Sequence, residues 1–328
     1  MLHEYRTAPV AELYARFAAV EARGVSPLYE ALASGVSEDG EVCDHIAGLP
    51  DQKRQPNLVF AASRHLGAPV DDYGQWREWI LAHWDSVVPV AMERFTQTNE
   101  AARCATLLPA LAEIEGPIAL LEVGASAGLC LYPDRYSYAY QTPSGTVTLD
   151  PETGPSPVLL ECELRGSPAP TSLPNVVWRA GIDRNPLDAT DPDTRSWLET
   201  LVWPEHHDRR TRIAEAAAIA AEDPPHLVTA DLNEALPTLA ASAPPDAHLV
   251  VFHSAVLAYL PKDARTQFRD TVTSLDCTWI SNESPGVFPE TTAPHQTEAG
   301  SFTLTVNGTP KAQTHPHGRT YTALRNPT

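Results

Sequence analysis

Basic residues are scarce in this chain. Only 23 Lys and Arg stand against 42 Asp and Glu, a formal net charge of −19 in 328 residues. Nucleic acid and anionic membrane surfaces need clustered cations to neutralise phosphates, so neither is an expected partner. A small anionic ligand held by a few local cations stays open. Long apolar runs are also missing, and none approaches the roughly 20 residues of a membrane span. Cysteine is sparse and scattered: Cys43, Cys104, Cys130, Cys162 and Cys277, with no C-x-x-C spacing. An odd, dispersed set argues for reduced thiols in a cytoplasm rather than a disulfide framework. The opening "MLHEYRTAPVAELYARF" has mixed charge and no apolar core, so it is not read as a signal peptide. There are no internal repeats and no low-complexity tract.

What is present is a 43 % hydrophobic chain punctuated by 31 prolines, enough for a sizeable core. Residues 1–115 read as a helical cap or lid domain. Val10, Leu13, Phe17 and Val20 follow one helical face, and Val42, Ile46 and Leu49 repeat the spacing. "QPNLVFAASRHLG", "YGQWREWILAHWDSVVPVAMERF" and "TNEAARCATLLPALAEI" complete the helices. At "PIALLEVG" the pattern changes to a short apolar run closed by glycine, as in a buried parallel strand. "VVWRAGID", "HLVTAD", "AHLVVFH" and "CTWISN" are similar runs, with helical stretches between most of them. This alternation predicts a mostly parallel sheet with helices on both faces over residues 116–328. "SFTLTVNG" and "RTYTALR" read as two tail strands joined by a turn-rich linker, and residues 131–164 as a β-hairpin inserted after the first helix.

The stretch "LLEVGASAGLC" admits two chemistries. Gly124-Ala125-Ser126-Ala127-Gly128 fits G-x-S-x-G, the elbow that presents a nucleophilic serine. A hydrolase elbow follows several earlier strands and an oxyanion segment, and neither precedes Gly124. The other reading is a ligand loop at the carboxyl end of the first strand, its small residues letting backbone N–H groups and a helix N-terminus approach a cofactor. Glu122, just before the loop, suits an ammonium group better than a pyrophosphate. That favours S-adenosylmethionine over a dinucleotide. Asp183 and Asp231 end the next two strands, where acids accept from ribose hydroxyls and an adenine amino group; Leu232 follows Asp231. His253 and Ser254 end the fourth strand, and Asn282 and Glu283 the fifth. His253 is the candidate base, because its ordinary pKa lies near working pH.

The layout resembles a class I S-adenosylmethionine-dependent methyltransferase core. More narrowly, the chain resembles the bacterial DUF2332 family over nearly its whole length. The resemblance rests on "QPNLVFAASRHLG", "TNEAARCATLLPAL", "LLEVGASAGLCLYPDRYSY", "GIDRNPLD", "LVWPE", "VVFHSAVLAYLP", "WISNESPG" and "HPHG". It implies a Rossmann-like core with a mostly parallel seven-stranded sheet, an N-terminal helical domain and the β-hairpin insertion. It also raises Asn99, Glu100 and Arg103, whose segment recurs in the family's pattern. The chain departs from the usual methyltransferase loop at Ser126, where glycine is customary, and in its long insertion.

The expected function is methyl transfer from S-adenosylmethionine to a small molecule, on oxygen or nitrogen, with a carboxylate or hydroxyl as the candidate acceptor. The catalytic candidates are His253, Glu283 and Arg103. Cofactor contacts are expected from Glu122, Gly124, Ala125, Ser126, Gly128, Asp183, Asp231, Leu232, His253 and Ser254, and substrate contacts from Asn57, Asn99, Arg103, Tyr259 and Asn282. No metal is expected; His315 and His317, with His253 or His295, are weak metal candidates. A homodimer is compatible with this reading. The alternatives are a protein that binds the cofactor without transfer and a serine hydrolase built on Ser126.

Overall fold

The computed structural model describes residues 9–97, 99–291 and 300–324. Its helices, in chain order, are α1 (Val10–Phe17), α2 (Pro27–Glu38), α3 (Gly40–Ala47), α4 (Pro56–His65), α5 (Tyr73–Glu93), α6 (Cys104–Leu111), α7 (Pro192–Thr200), α8 (His207–Glu222), α9 (Leu232–Ala240) and α10 (Lys262–Ser274). The strands are β1 (Pro117–Val123), β2 (Ser137–Thr142), β3 (Gly145–Leu149), β4 (Leu159–Arg165), β5 (Asn175–Asp183), β6 (His226–Thr229), β7 (His248–Ser254), β8 (Thr278–Glu283), β9 (Phe302–Val306), β10 (Thr309–Thr314) and β11 (Thr320–Ala323). No described helix is long and apolar enough to cross a membrane.

Two compact units result. The first comprises Met1–Thr98 and Pro192–Thr211, the second Asn99–Asp191 and Arg212–Thr328. The helical segment after residue 98 belongs with the sheet because Tyr140 donates to the Ala105 carbonyl at 2.7 Å and α6 packs on β4. Residues 192–211 join the first unit through Trp197, which lies in its aromatic core, and through Glu205, whose carboxylate accepts from Ser26 Oγ and the Leu28 amide. Within that unit Tyr29 and Phe60 lie 5.1 Å apart, and Ser26, Asp39 and Asp72 cap α2, α3 and α5 with their side chains. The predicted stripe of α1 fails at Val20, which is 68 % exposed. A π-turn over Ala18–Ala22 adds a residue to that turn, rotates the stripe and buries Ala18 and Ala22 instead.

The second unit is an eleven-stranded mixed sheet with helices on both sides, not a seven-stranded one. Its order is β3-β2-β4-β11-β10-β9-β8-β7-β1-β5-β6. The block β6-β5-β1-β7-β8 is parallel throughout. Counted along the chain, its strands run third, second, first, fourth, fifth, so the winding reverses between β1 and β7. The extra strands arise because the insertion and the tail join one another: β11 pairs with β4, and β9, β10 and β11 form a meander from β8. The expected linker between the tail strands is β10, whose Pro310 sits beside a register shift, a place where proline is tolerated in a paired strand.

No α-helix follows β1. Beyond Gly128 the chain makes only a three-residue 3₁₀ turn, Leu129–Leu131, and runs on towards β2. Pro133 disfavours helix at the residue before it, and Tyr132, Tyr136, Tyr138 and Tyr140 are all buried. The tyrosine hydroxyls of 136 and 138 bond the carbonyls of Leu129 and Pro133. The hairpin β2–β3 is present, but the helix expected before it is not.

Candidate functional site

At the carboxyl end of β1 the backbone is fully committed. The amides of Gly124 and Ala125 donate to the Ile182 carbonyl at 2.8 and 3.2 Å. The Ser126 amide donates to Asp183 Oδ2 at 2.8 Å and the Ala127 amide to Asn99 Oδ1 at 2.9 Å. The Gly128 amide donates to the Ala125 carbonyl at 2.7 Å. Five consecutive N–H groups thus have protein acceptors, so the loop is not an open cradle of donors. With only a 3₁₀ turn behind it, it has no helix N-terminus to offer either.

The small residues serve packing. Gly124 has φ +74°, and the place a Cβ would occupy is filled by the methyls of Val256. Gly128, at φ +68°, lies against Pro225 and Leu131, and Gly181 makes room for the Ala125 methyl. Ser126 adopts φ +50°, the left-handed region that costs a non-glycine residue about 1 kcal/mol. Its amide bond to Asp183 and its hydroxyl bond from Asn99 Nδ2, at 2.9 Å, hold it there. That amide is no base, and no base is bonded to the Ser126 hydroxyl among the described residues.

Strand alternation sorts the remaining candidates. Glu122 is in register with Gly181 on β5 and Phe252 on β7, which places Asp183, Ser254 and Asn282 on its face. His253 and Glu283 fall on the opposite face. There His253 is fully enclosed. The Trp279 indole, a donor only, donates to His253 Nε2 at 3.1 Å, so Nδ1 carries the proton and donates to Glu283 Oε1 at 2.8 Å. Phe268 meets the ring edge-on. With both nitrogens used and no surface, His253 is a core histidine rather than a base beside a methyl donor. Glu283 Oε1 also accepts from the amides of Val256 and Leu257 at 2.9 and 3.0 Å, while its buried Oε2 has no partner. Glu283 therefore anchors the turn after β7, where Ala255 takes φ +61°.

On the Glu122 face the picture is different. Glu122 is 6 % exposed and its Oε2 is buried without a hydrogen-bond partner. Burial, with a smaller contribution from Cys130, pushes its carboxyl well above the usual carboxylate range, and Arg103 opposes this. Cys130 is itself raised, first by its hydrogen bond with Cys104 and then by burial. Arg103 is 8 % exposed; its Nε donates to the Pro316 carbonyl and its Nη1 to the Ser254 carbonyl, both at 3.0 Å. Asn282 spans Ser254 Oγ and Thr314 Oγ1 at 3.1 and 2.6 Å.

Asp183 uses Oδ2 on the loop and Oδ1 on the Asn185 amide, an Asx turn. Asp231 caps α9 through the Asn233 amide, and its hydrogen bond from Arg184 holds its carboxyl below the usual range. Leu232 begins α9 and packs on the core beneath it. Tyr259 is 68 % exposed. Asn57 belongs to the first unit, where it accepts from Trp203 Nε1 at 2.9 Å. His315 Nδ1 accepts from the His317 amide, and His317 Nδ1 lies 3.6 Å from Glu100. Among the described residues no group of three or more His, Cys, Asp or Glu could hold a metal ion. His295 lies outside the described residues. The sequence reading missed Val256, Cys130 and Thr314. Val256 and Thr314 carry no chemical signal of their own; Cys130, two residues past the loop, carries a positional one.

These features define a mixed α/β protein with a buried, partly unmatched polar cluster at the carboxyl ends of its central parallel strands. Over residues 11–322 it matches the model of a family described as "uncharacterized protein conserved in bacteria", DUF2332, and the chain belongs to that family. No curated protein and no solved structure matches it.

Proposed function

We propose that the second unit binds S-adenosylmethionine beside β1 and β7 and transfers its methyl group to a small-molecule acceptor. The observation that carries the reading is Glu122: a buried carboxylate with an unpartnered oxygen, on the strand where the winding reverses. Open α/β sheets with this third-second-first-fourth-fifth order bind ligands outside the carboxyl ends of the strands at that reversal. A buried carboxylate without a partner is costly, and a ligand cation relieves it. In the reaction the acceptor's lone pair attacks the methyl carbon, the carbon–sulfur bond breaks, and the pair returns to sulfur as the thioether product leaves. In-line positioning supplies much of the rate. Because His253 is enclosed, the acceptor is one that needs no base at neutral pH, such as a carboxylate.

A second reading is favoured by the committed loop amides and the enclosed His253: the unit binds the cofactor without transferring from it. Calorimetric titration with S-adenosylmethionine and its demethylated product tests both readings, and no heat at high micromolar ligand would sink both. Formation of demethylated product with a panel of carboxylate and amine acceptors then separates them.

A further inference from the structure

The geometry points to Arg103 and Glu122 as one recognition site for an α-amino-acid zwitterion, the guanidinium taking the carboxylate and Glu122 the ammonium. In naming the methionine portion of S-adenosylmethionine as the occupant, this rests on the proposed function; as a zwitterion site it stands apart from it.

Arg103 is a buried cation with no ion-pair partner among the described residues. A guanidinium has five N–H donors, and the two bonds it makes go to uncharged carbonyls, Pro316 and Ser254. No carboxylate among the described residues lies within the 4.0 Å of an ion pair. Glu122 also lies outside that limit, so Arg103 acts on it only through space, against the burial that raises its carboxyl. Both are nonetheless buried, Arg103 at 8 % and Glu122 at 6 % exposure. The Ser254 carbonyl that anchors Arg103 lies two residues beyond Phe252, the register partner of Glu122. Arg103 is close enough to Glu122 for its charge to act on that carboxyl.

Arg103 is also held in place. Glu100 Oε1 accepts from the Ala102 amide in the 3₁₀ turn Ala101–Arg103, and Thr106 Oγ1 donates to the Arg103 carbonyl. Gly318, at φ +75°, lies so close to the Ala102 backbone that a Cβ would collide with it. This gives "HPHG" a structural purpose: it sets the Pro316 carbonyl under the Arg103 Nε. Since every loop amide is already bonded, side chains must recognise any ligand charge here, and these two are unmatched.

The test is calorimetry on the full chain with three probes: S-adenosylmethionine, its decarboxylated analogue, and L-methionine. The expected result is that loss of the carboxylate weakens binding at least tenfold, as for one charge-assisted bidentate contact. Arg103→Lys, which keeps the charge but not the fork, should shrink that discrimination, and Glu122→Gln should weaken all three probes. Equal affinity for S-adenosylmethionine and the decarboxylated analogue overturns the zwitterion site while leaving the cofactor reading intact. Binding of L-methionine without S-adenosylmethionine overturns the cofactor reading while leaving the zwitterion site intact. Silence from all three probes overturns both. The analogue comparison uses the native chain, so a variant that fails to fold does not remove the test.

Discussion

At the residue scale, Glu122 is the group whose titration matters most. Its carboxyl is raised in the folded state, so between its unfolded and folded pKa the native chain binds more protons than the unfolded one. Its contribution to stability is therefore full below the ordinary carboxylate range and is lost as pH rises through the raised value. Glu122→Gln should flatten that loss. Denaturation midpoints of variant and native chain are expected to converge at low pH and to separate, variant higher, as pH rises; a separation of opposite sign would contradict the burial of an uncompensated acid. Binding a cation at Glu122 should also release a proton, seen as a buffer-dependent heat. Gly124 makes a second residue-scale prediction. Gly124→Ala adds a methyl where Val256 already sits and forces φ +74° on a non-glycine residue, at a combined cost of about 2–4 kcal/mol. Val256→Ala in that background should recover the steric part only, measured by urea denaturation of the double-mutant cycle.

At the scale of elements, one side chain makes several of the bonds that hold each of two short connections. Glu283 Oε1 gathers His253 and the Val256 and Leu257 amides. Glu283→Ala strands those donors in the core, at a cost of several kcal/mol, and the exchange of the 256 and 257 amides should accelerate before that of β7. Unchanged exchange would show that the turn is held by something else. Asn99 plays the same part for the loop after β1, bonding the Ala127 amide and the Ser126 hydroxyl. Asn99→Ala should lower stability by about 1–3 kcal/mol, again read from urea denaturation.

At the scale of the whole molecule, the first unit is assembled from two stretches of chain. Arg64 bonds the carbonyls of Thr200 and Val202, Trp203 bonds Asn57, and Glu205 bonds Ser26. A fragment of residues 1–115 lacks all of these partners, so it is expected to show no cooperative thermal transition by circular dichroism. A cooperative transition in that fragment would mean that 192–211 is dispensable to its core.

Much of this organisation could be read from the residues alone. The apolar runs at 117–123, 175–183, 226–229, 248–254 and 278–283 are strands; those at 117–123, 248–254 and 278–283 are so because a buried parallel strand is apolar on both faces. Glu122 and Arg103 stood out because their charge sits among apolar or motif-bearing neighbours. Other features depended on distance in space. Whether His253 is a base or a core residue turns on Trp279, 26 residues away, and on Glu283, 30 residues away. Whether the loop amides are free turns on Asn99 and Asp183, and the room at Gly124 turns on Val256. Strand count depended on β4 meeting β11, a pairing no local pattern encodes. Periodicity and composition are local and sum along the chain. Hydrogen-bond satisfaction and packing are contact properties, and only the folded arrangement assigns each donor its acceptor.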